Sequence, residues 1–230
     1  MDSGRLKRAL LFAAALAGIT LMGLAFAERA AAWVFMSLAI VICAAAFAGF
    51  ERRSPTSGDI AAAAVMTALS VAGRIAFAPA PAFKPCAAVI ILSGMYLGAG
   101  QGFMVGALTA LVSNFYFSQG MWTPFQMLTW GAIGLLAGAL GGALRKNKAV
   151  LCIYGALAGI AFSVLMDLWS CLWTDGSIGL ERFLALTAAS GWFAVGYAVS
   201  NTVFLWLFAN AAERIFGRLR DKYGIGSDGN

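Results

Sequence analysis

The sequence predicts an all-α integral membrane protein, a six-helix core preceded by two additional transmembrane helices. Three observations lead there. Hydrophobic residues make up 61% of the 230 and charged residues only 11%, against about a quarter charged in ordinary soluble domains. Mean hydropathy is +0.83. Apolar runs recur from end to end without a polar block long enough to fold separately, so the chain reads as one membrane domain.

A helix crosses the hydrocarbon core with about 20 apolar residues, fewer where neighbours shield it. By that measure spans are expected near 8–27, 31–50, 58–77, 85–98, 101–118, 124–144, 150–173 and 184–212. The first follows Arg5, Lys7 and Arg8 as in a signal peptide, yet its apolar run continues to Ala27 and a second follows after a minimal turn. It therefore reads as a retained helix. The stretch ERRSPTSG at 51–58 is the most polar interruption of the N-terminal half. It divides the chain into an N-terminal helical pair with its basic linker (1–57), a core (58–213) and a basic tail (214–230), with function expected in the core. Between the fourth and fifth spans only Ala99 and Gly100 intervene, and Gly94, Gly98, Gly100, Gly102 and Gly106 favour a tight turn between two short helices over one overlong helix.

Charge orients the bundle. With a cytoplasmic N-terminus, Arg5, Lys7, Arg8, Arg52, Arg53, Arg145, Lys146, Lys148, Arg214, Arg218, Arg220 and Lys222 fall on the cytoplasmic side, and Arg29, Arg74, Lys84 and Arg182 on the other. Twelve against four follows the positive-inside rule and puts both termini in the cytoplasm of a multi-pass cell-membrane protein. The net charge of +6 then meets inner-leaflet lipids and needs no nucleic acid.

Polar residues gather at the outer ends of the core spans. The connection RIAFAPAPAFKP from Arg74 to Pro85 holds three prolines, which exclude regular helix; Phe83 and Lys84 close it. It reads either as a rigid connector whose lysine meets headgroups or as a lid over a pocket. Asn114, Tyr116, Gln119, Trp122, Thr123 and Gln126 cluster around the next outer turn. Pro124 suits the first turn of a helix with Thr123 as N-cap, and aromatic belts account for Tyr and Trp, but buried amides need partners. Asp167 falls about two turns inside the end of the seventh span, followed by Trp169 and Trp173. An interhelical hydrogen bond and a ligand contact both fit it. Trp192, Tyr197 and Asn201 mark the last span. Together these residues describe an outward cavity suited to a medium-sized, largely neutral ligand with flat apolar faces and hydrogen-bonding edges.

In combination PAFKP at 81–85, SNFYFSQGMWTPFQM at 113–127 and WGAIGLLAGALGG at 130–142 resemble the substrate-specific (S) components of energy-coupling factor vitamin transporters, over about residues 58–213. The resemblance implies high-affinity binding of a vitamin or cofactor precursor on the outer face. It also implies delivery by toppling against a transmembrane coupling subunit driven by two cytoplasmic ATPases. That subunit is met through small residues spaced by four on the first core helix, here Ala64, Ala68 and Ala72. The FKP loop and the QG-x-WTP-x-Q stretch look most like cobalamin-type S components, with riboflavin, pantothenate and queuosine as alternatives.

Other classes fit less well. There is no histidine, and Cys43, Cys86, Cys152 and Cys171 stand apart, so neither a metal site nor a Ser–His pair is expected; nor is a cofactor or enzymatic activity. No G-x-x-x-x-G-K-[ST] loop is present, so ATP would be handled by partners. A secondary transporter would show internal repeats. An envelope assembly protein remains the alternative, its polar outer face meeting another protein.

Overall fold

The computed structural model describes residues 29–52 and 55–223; the expected span at 8–27 lies outside the described residues. Among the described residues eight helices follow in order: α1 (Ala30–Arg52), α2 (Ser57–Ala76), α3 (Cys86–Leu97), α4 (Ala99–Phe117), α5 (Thr123–Ala139), α6 (Gly141–Lys146), α7 (Lys148–Asp175) and α8 (Leu180–Tyr223). The all-helical, apolar character agrees with the expected fold class. Of these, α1, α2, α7 and α8 are long and apolar enough to cross a membrane.

Local sequence accounts for the helix boundaries. Thr56 caps α2 through a reciprocal box: its hydroxyl accepts from the Asp59 N–H while the Asp59 carboxylate accepts from the Thr56 N–H. Asn147 caps α7 by accepting from Ala149 and Val150, and Gly176, at φ 71°, closes its other end. Gly98, at φ 97°, turns the chain between α3 and α4, the tight turn expected there. Two expected boundaries are corrected. The span at 124–144 breaks at Leu140 into α5 and the short α6. The last span continues as one helix to Tyr223, so residues 214–223 of the expected tail are helical.

Helix α3 is the axis of the bundle. At 1.5 Å per residue its 12 residues reach about 18 Å, well short of a bilayer core. It is nonetheless buried along almost its whole length, including Ile90 and Ile91 at 0% exposure, because α4, α5, α2 and α8 pack around it. Protein rather than lipid therefore surrounds it.

Glycine sets how closely this interior can pack. A Cβ on Gly94 or Gly102 would run into the Gly134 carbonyl, one on Gly134 into Gly102, and one on Gly106 into the Trp130 carbonyl. The backbones of α3, α4 and α5 touch along this seam, as small residues permit between membrane helices. A second close contact joins Gly159 of α7 to the Tyr197 backbone of α8. On the far side of the seam α1 packs on α4, α5 and α7, with Trp33 edge-on to Trp173 at 5.7 Å.

The seam makes a paired prediction. Gly134→Val drives side-chain carbons into backbone that cannot retreat, costing about 3 kcal/mol, seen as a lower unfolding midpoint in detergent. Gly142, with nothing within 4 Å of an added Cβ, tolerates Ala with a neutral or slightly raised midpoint.

Candidate functional site

The ends of α2, α4 and α5 and the loop between α2 and α3 meet at one end of the bundle. Asn114, 1% exposed, is the hub. Its Oδ1 accepts from Arg74 Nη1 at 2.9 Å, and its Nδ2 donates to Thr123 Oγ1 at 3.0 Å and to Gln126 Oε1 at 2.8 Å. Thr123 Oγ1 in turn donates to Gln119 Oε1, whose Nε2 donates to the Leu111 carbonyl at 2.8 Å. This chain of bonds ties the 118–122 turn onto the end of α4 and holds Ser118 at φ 78°. Thr123 is thus a network member rather than the expected N-cap: Trp122 occupies that position without a side-chain bond, and Pro124 does fall in the first turn.

Arg74 lies half-buried among aromatic faces. Its Nη1 also donates to Ser113 Oγ, and its guanidinium carbon sits 4.5 Å from the Phe117 centroid and 4.9 Å from that of Trp130. Such contacts are worth about 0.5–2 kcal/mol each. The Lys84 ammonium is 4.8 Å from the same Phe117 ring. Burial, together with the Arg74 charge nearby, pushes the Lys84 ammonium below its ordinary value.

The 77–85 loop is fastened to α8 by one helical face. Ser200 Oγ accepts from the Lys84 N–H at 2.8 Å and donates to the Lys84 carbonyl at 2.9 Å. Four residues earlier, Gly196 receives Ala82, where a Cβ would collide. Four residues later, Phe204 lies 5.0 Å from Phe83 and 5.4 Å from Phe77. Beneath the loop is a cavity of about 20 Å³ lined by Lys84, Cys86, Trp130, Phe162, Tyr197 and Asn201, room for about one water molecule.

The structure thus brings Arg74, Lys84, Asn114, Gln119, Thr123 and Gln126 together, with Phe83 in the loop seat. Asn201 borders the cavity but directs its amide to the Gly155 carbonyl at 2.9 Å. Asp167 sits apart, accepting from Ser190 across the α7–α8 contact. Trp169 and Trp173, expected in the lining of the outward cavity, lie away from the loop instead: Trp169 stacks on Phe125 at 5.3 Å, and Trp173 meets Trp33 and Arg29 beside α1. Tyr116, Trp122 and Trp192 are exposed at 63%, 42% and 58%, as an aromatic belt would be. Ala64, Ala68 and Ala72 are exposed along α2, beside an apolar groove of about 620 Å³ between α2 and α8, floored by Val89 and Leu92. Ser113, Phe117, Trp130 and Ser200 were missed. Only the spacing of Gly196, Ser200 and Phe204 by four could have pointed to the last of these.

A bundle built of such helices, with amides and cations gathered at one end, is a polytopic membrane protein with a polar site set in an aromatic frame. Residues 55–214, more than half of the chain and including this whole network, match the family model described as ECF-type riboflavin transporter, S component. The chain belongs to that family, which is one of transporter components and not of enzymes. No curated protein and no solved structure matches the chain.

The hub predicts a contrast. Asn114→Ala strips Gln126 and Arg74 of a buried partner and costs about 2–3 kcal/mol. Phe115→Ala, next door but 79% exposed, leaves the unfolding midpoint within about 0.5 kcal/mol of wild type. Because Gln126 is bonded to the hub, Gln126→Ala lowers the midpoint as well.

Proposed function

We propose that the protein is the riboflavin-binding S component of an ECF transporter, taking up the vitamin at the Lys84 end and delivering it into the cell. The observation that carries this reading is the family match over residues 55–214, which encloses the Asn114 hub, the aromatic frame and the loop seat. The site chemistry is compatible with it. Phe117, Trp130, Phe162 and Tyr197 supply aromatic surface for a flat isoalloxazine, while the unused donors of Arg74 and Lys84 suit its carbonyl oxygens. The corrinoid favoured from the loop motifs gives way to riboflavin on the strength of that match.

A flavin needs several hundred cubic ångströms, far more than the cavity of about 20 Å³ beneath the loop. Uptake on this reading requires the 77–85 loop to lift from α8, breaking the Ser200 bonds and parting Phe83 from Phe204. The positive-inside bias supports placing this end outside and the Arg145 end in the cytoplasm.

Family membership associates the chain with a transmembrane coupling subunit and two ATPases. The exposed Ala64, Ala68 and Ala72 stripe, beside the apolar groove, is the face we assign to the coupling subunit. Small side chains there let a partner helix approach closely.

Two measurements test this. Riboflavin at a hundred times its dissociation constant adds about 2.7 kcal/mol to the native state, a readily visible thermal shift of the purified protein. No shift with riboflavin, in folded protein, overturns the substrate. Ala68→Trp abolishes co-purification with the coupling subunit while the riboflavin shift survives; retained co-purification overturns the assigned face, and failure of the wild type to bind any coupling subunit favours an assembly role.

A further inference from the structure

Arg74 and Lys84 direct two positive charges at one ring. Their charged atoms lie 4.5 and 4.8 Å from the Phe117 centroid. Neither forms an ion pair among the described residues. Of the described carboxylates expected at this end, Asp167 accepts from Ser190, Asp175 pairs with Arg182 at 3.6 Å, and Glu181 is exposed at the start of α8. Arg74 bonds the protein through Nη1 only, to Ser113 and Asn114. Its Nε and Nη2, and the Lys84 ammonium, make no hydrogen bond among the described residues, and none of them is a fully enclosed atom lacking a partner. Two like charges held this close repel in a medium of low dielectric, and aromatic faces offset that only in part. Neither cation is needed to hold the loop, which is seated through the Lys84 backbone on Ser200.

We propose that the ligand of this site carries an anionic oxygen group, a phosphate or a carboxylate, which lies between the free donors of Arg74 and the Lys84 ammonium. The inference rests on the reading of this end as the ligand site and goes beyond a neutral vitamin. Within the flavin class it selects the 5′-phosphorylated form over the free ribityl alcohol. A doubly charged phosphate answers both cations at once, and the planar guanidinium presents a donor fork that fits two phosphate oxygens.

The test compares riboflavin, riboflavin 5′-phosphate, inorganic phosphate and phosphatidylglycerol mixed micelles as additives to the full chain purified in a neutral maltoside, followed by thermal shift and titration. The expected result is about tenfold tighter binding of the 5′-phosphate than of riboflavin at low salt, one charge-assisted hydrogen bond's worth. That ratio falls toward one at high salt and in Lys84→Gln, and persists in Lys84→Arg, which keeps the charge. The backbone seat on Ser200 is common to both variants, and the Lys84→Arg result controls for folding.

Riboflavin binding as tightly as its phosphate, or more tightly, overturns the inference and leaves the riboflavin reading standing. Stabilisation by inorganic phosphate with both flavins silent retains the anion subsite and overturns the flavin. Stabilisation by phosphatidylglycerol alone, lost in Lys84→Gln, makes the anion a lipid headgroup and overturns the inference. Silence of all four overturns both.

Discussion

Everything at the polar end depends on how closely three backbones approach near the middle of the bundle. Gly94, Gly102, Gly106 and Gly134 let α3, α4 and α5 touch without intervening side chains. Between membrane helices no hydrophobic drive favours association over lipid contact, so packing of this kind holds the bundle together. It also fixes register. With α4 and α5 locked at Gly102 and Gly134 and joined by a turn of five residues, Asn114, Thr123 and Gln126 have little choice but to meet.

That meeting solves an electrostatic problem. Arg74 stands near the end of α2 in an apolar setting, where an unsolvated charge is costly. Asn114 and Ser113 accept its hydrogen bonds, while Phe117 and Trp130 supply negative ring faces. The amides are thus paired among themselves before any ligand arrives, and the cations are the groups left with unused donors. Asp167 stands apart from this network and accepts from Ser190 on the neighbouring helix.

Much of this was legible. Composition together with the recurrence of apolar runs about 20 residues long gave the all-α membrane class, and the glycines around residue 98 gave the break between α3 and α4. Clustering of scarce polar residues pointed to the 114–126 turn. Three kinds of fact were not legible. Helix ends set by helix–helix contact, such as the continuation of α8 through 214–223, carry no local signal in a basic amphipathic stretch. The direction a side chain takes across the bundle depends on helix rotation, so Trp169 and Trp173 read as cavity wall although they face α1. Pairings over long sequence separation, such as Lys84 with Ser200, are invisible until the fold brings them together. The choice between flavin and corrinoid was the least legible, since both call for aromatic walls and a few donors.

The way the 77–85 loop is held has an evolutionary consequence. Ser200 grips the main chain of residue 84 at both its N–H and its carbonyl, so the grip is blind to which side chain residue 84 carries. Lineages descending from such a scaffold can exchange that residue for a neutral, acidic or aromatic one without unseating the loop. One codon can therefore drift under selection for a new nutrient while the architecture around it stays constant.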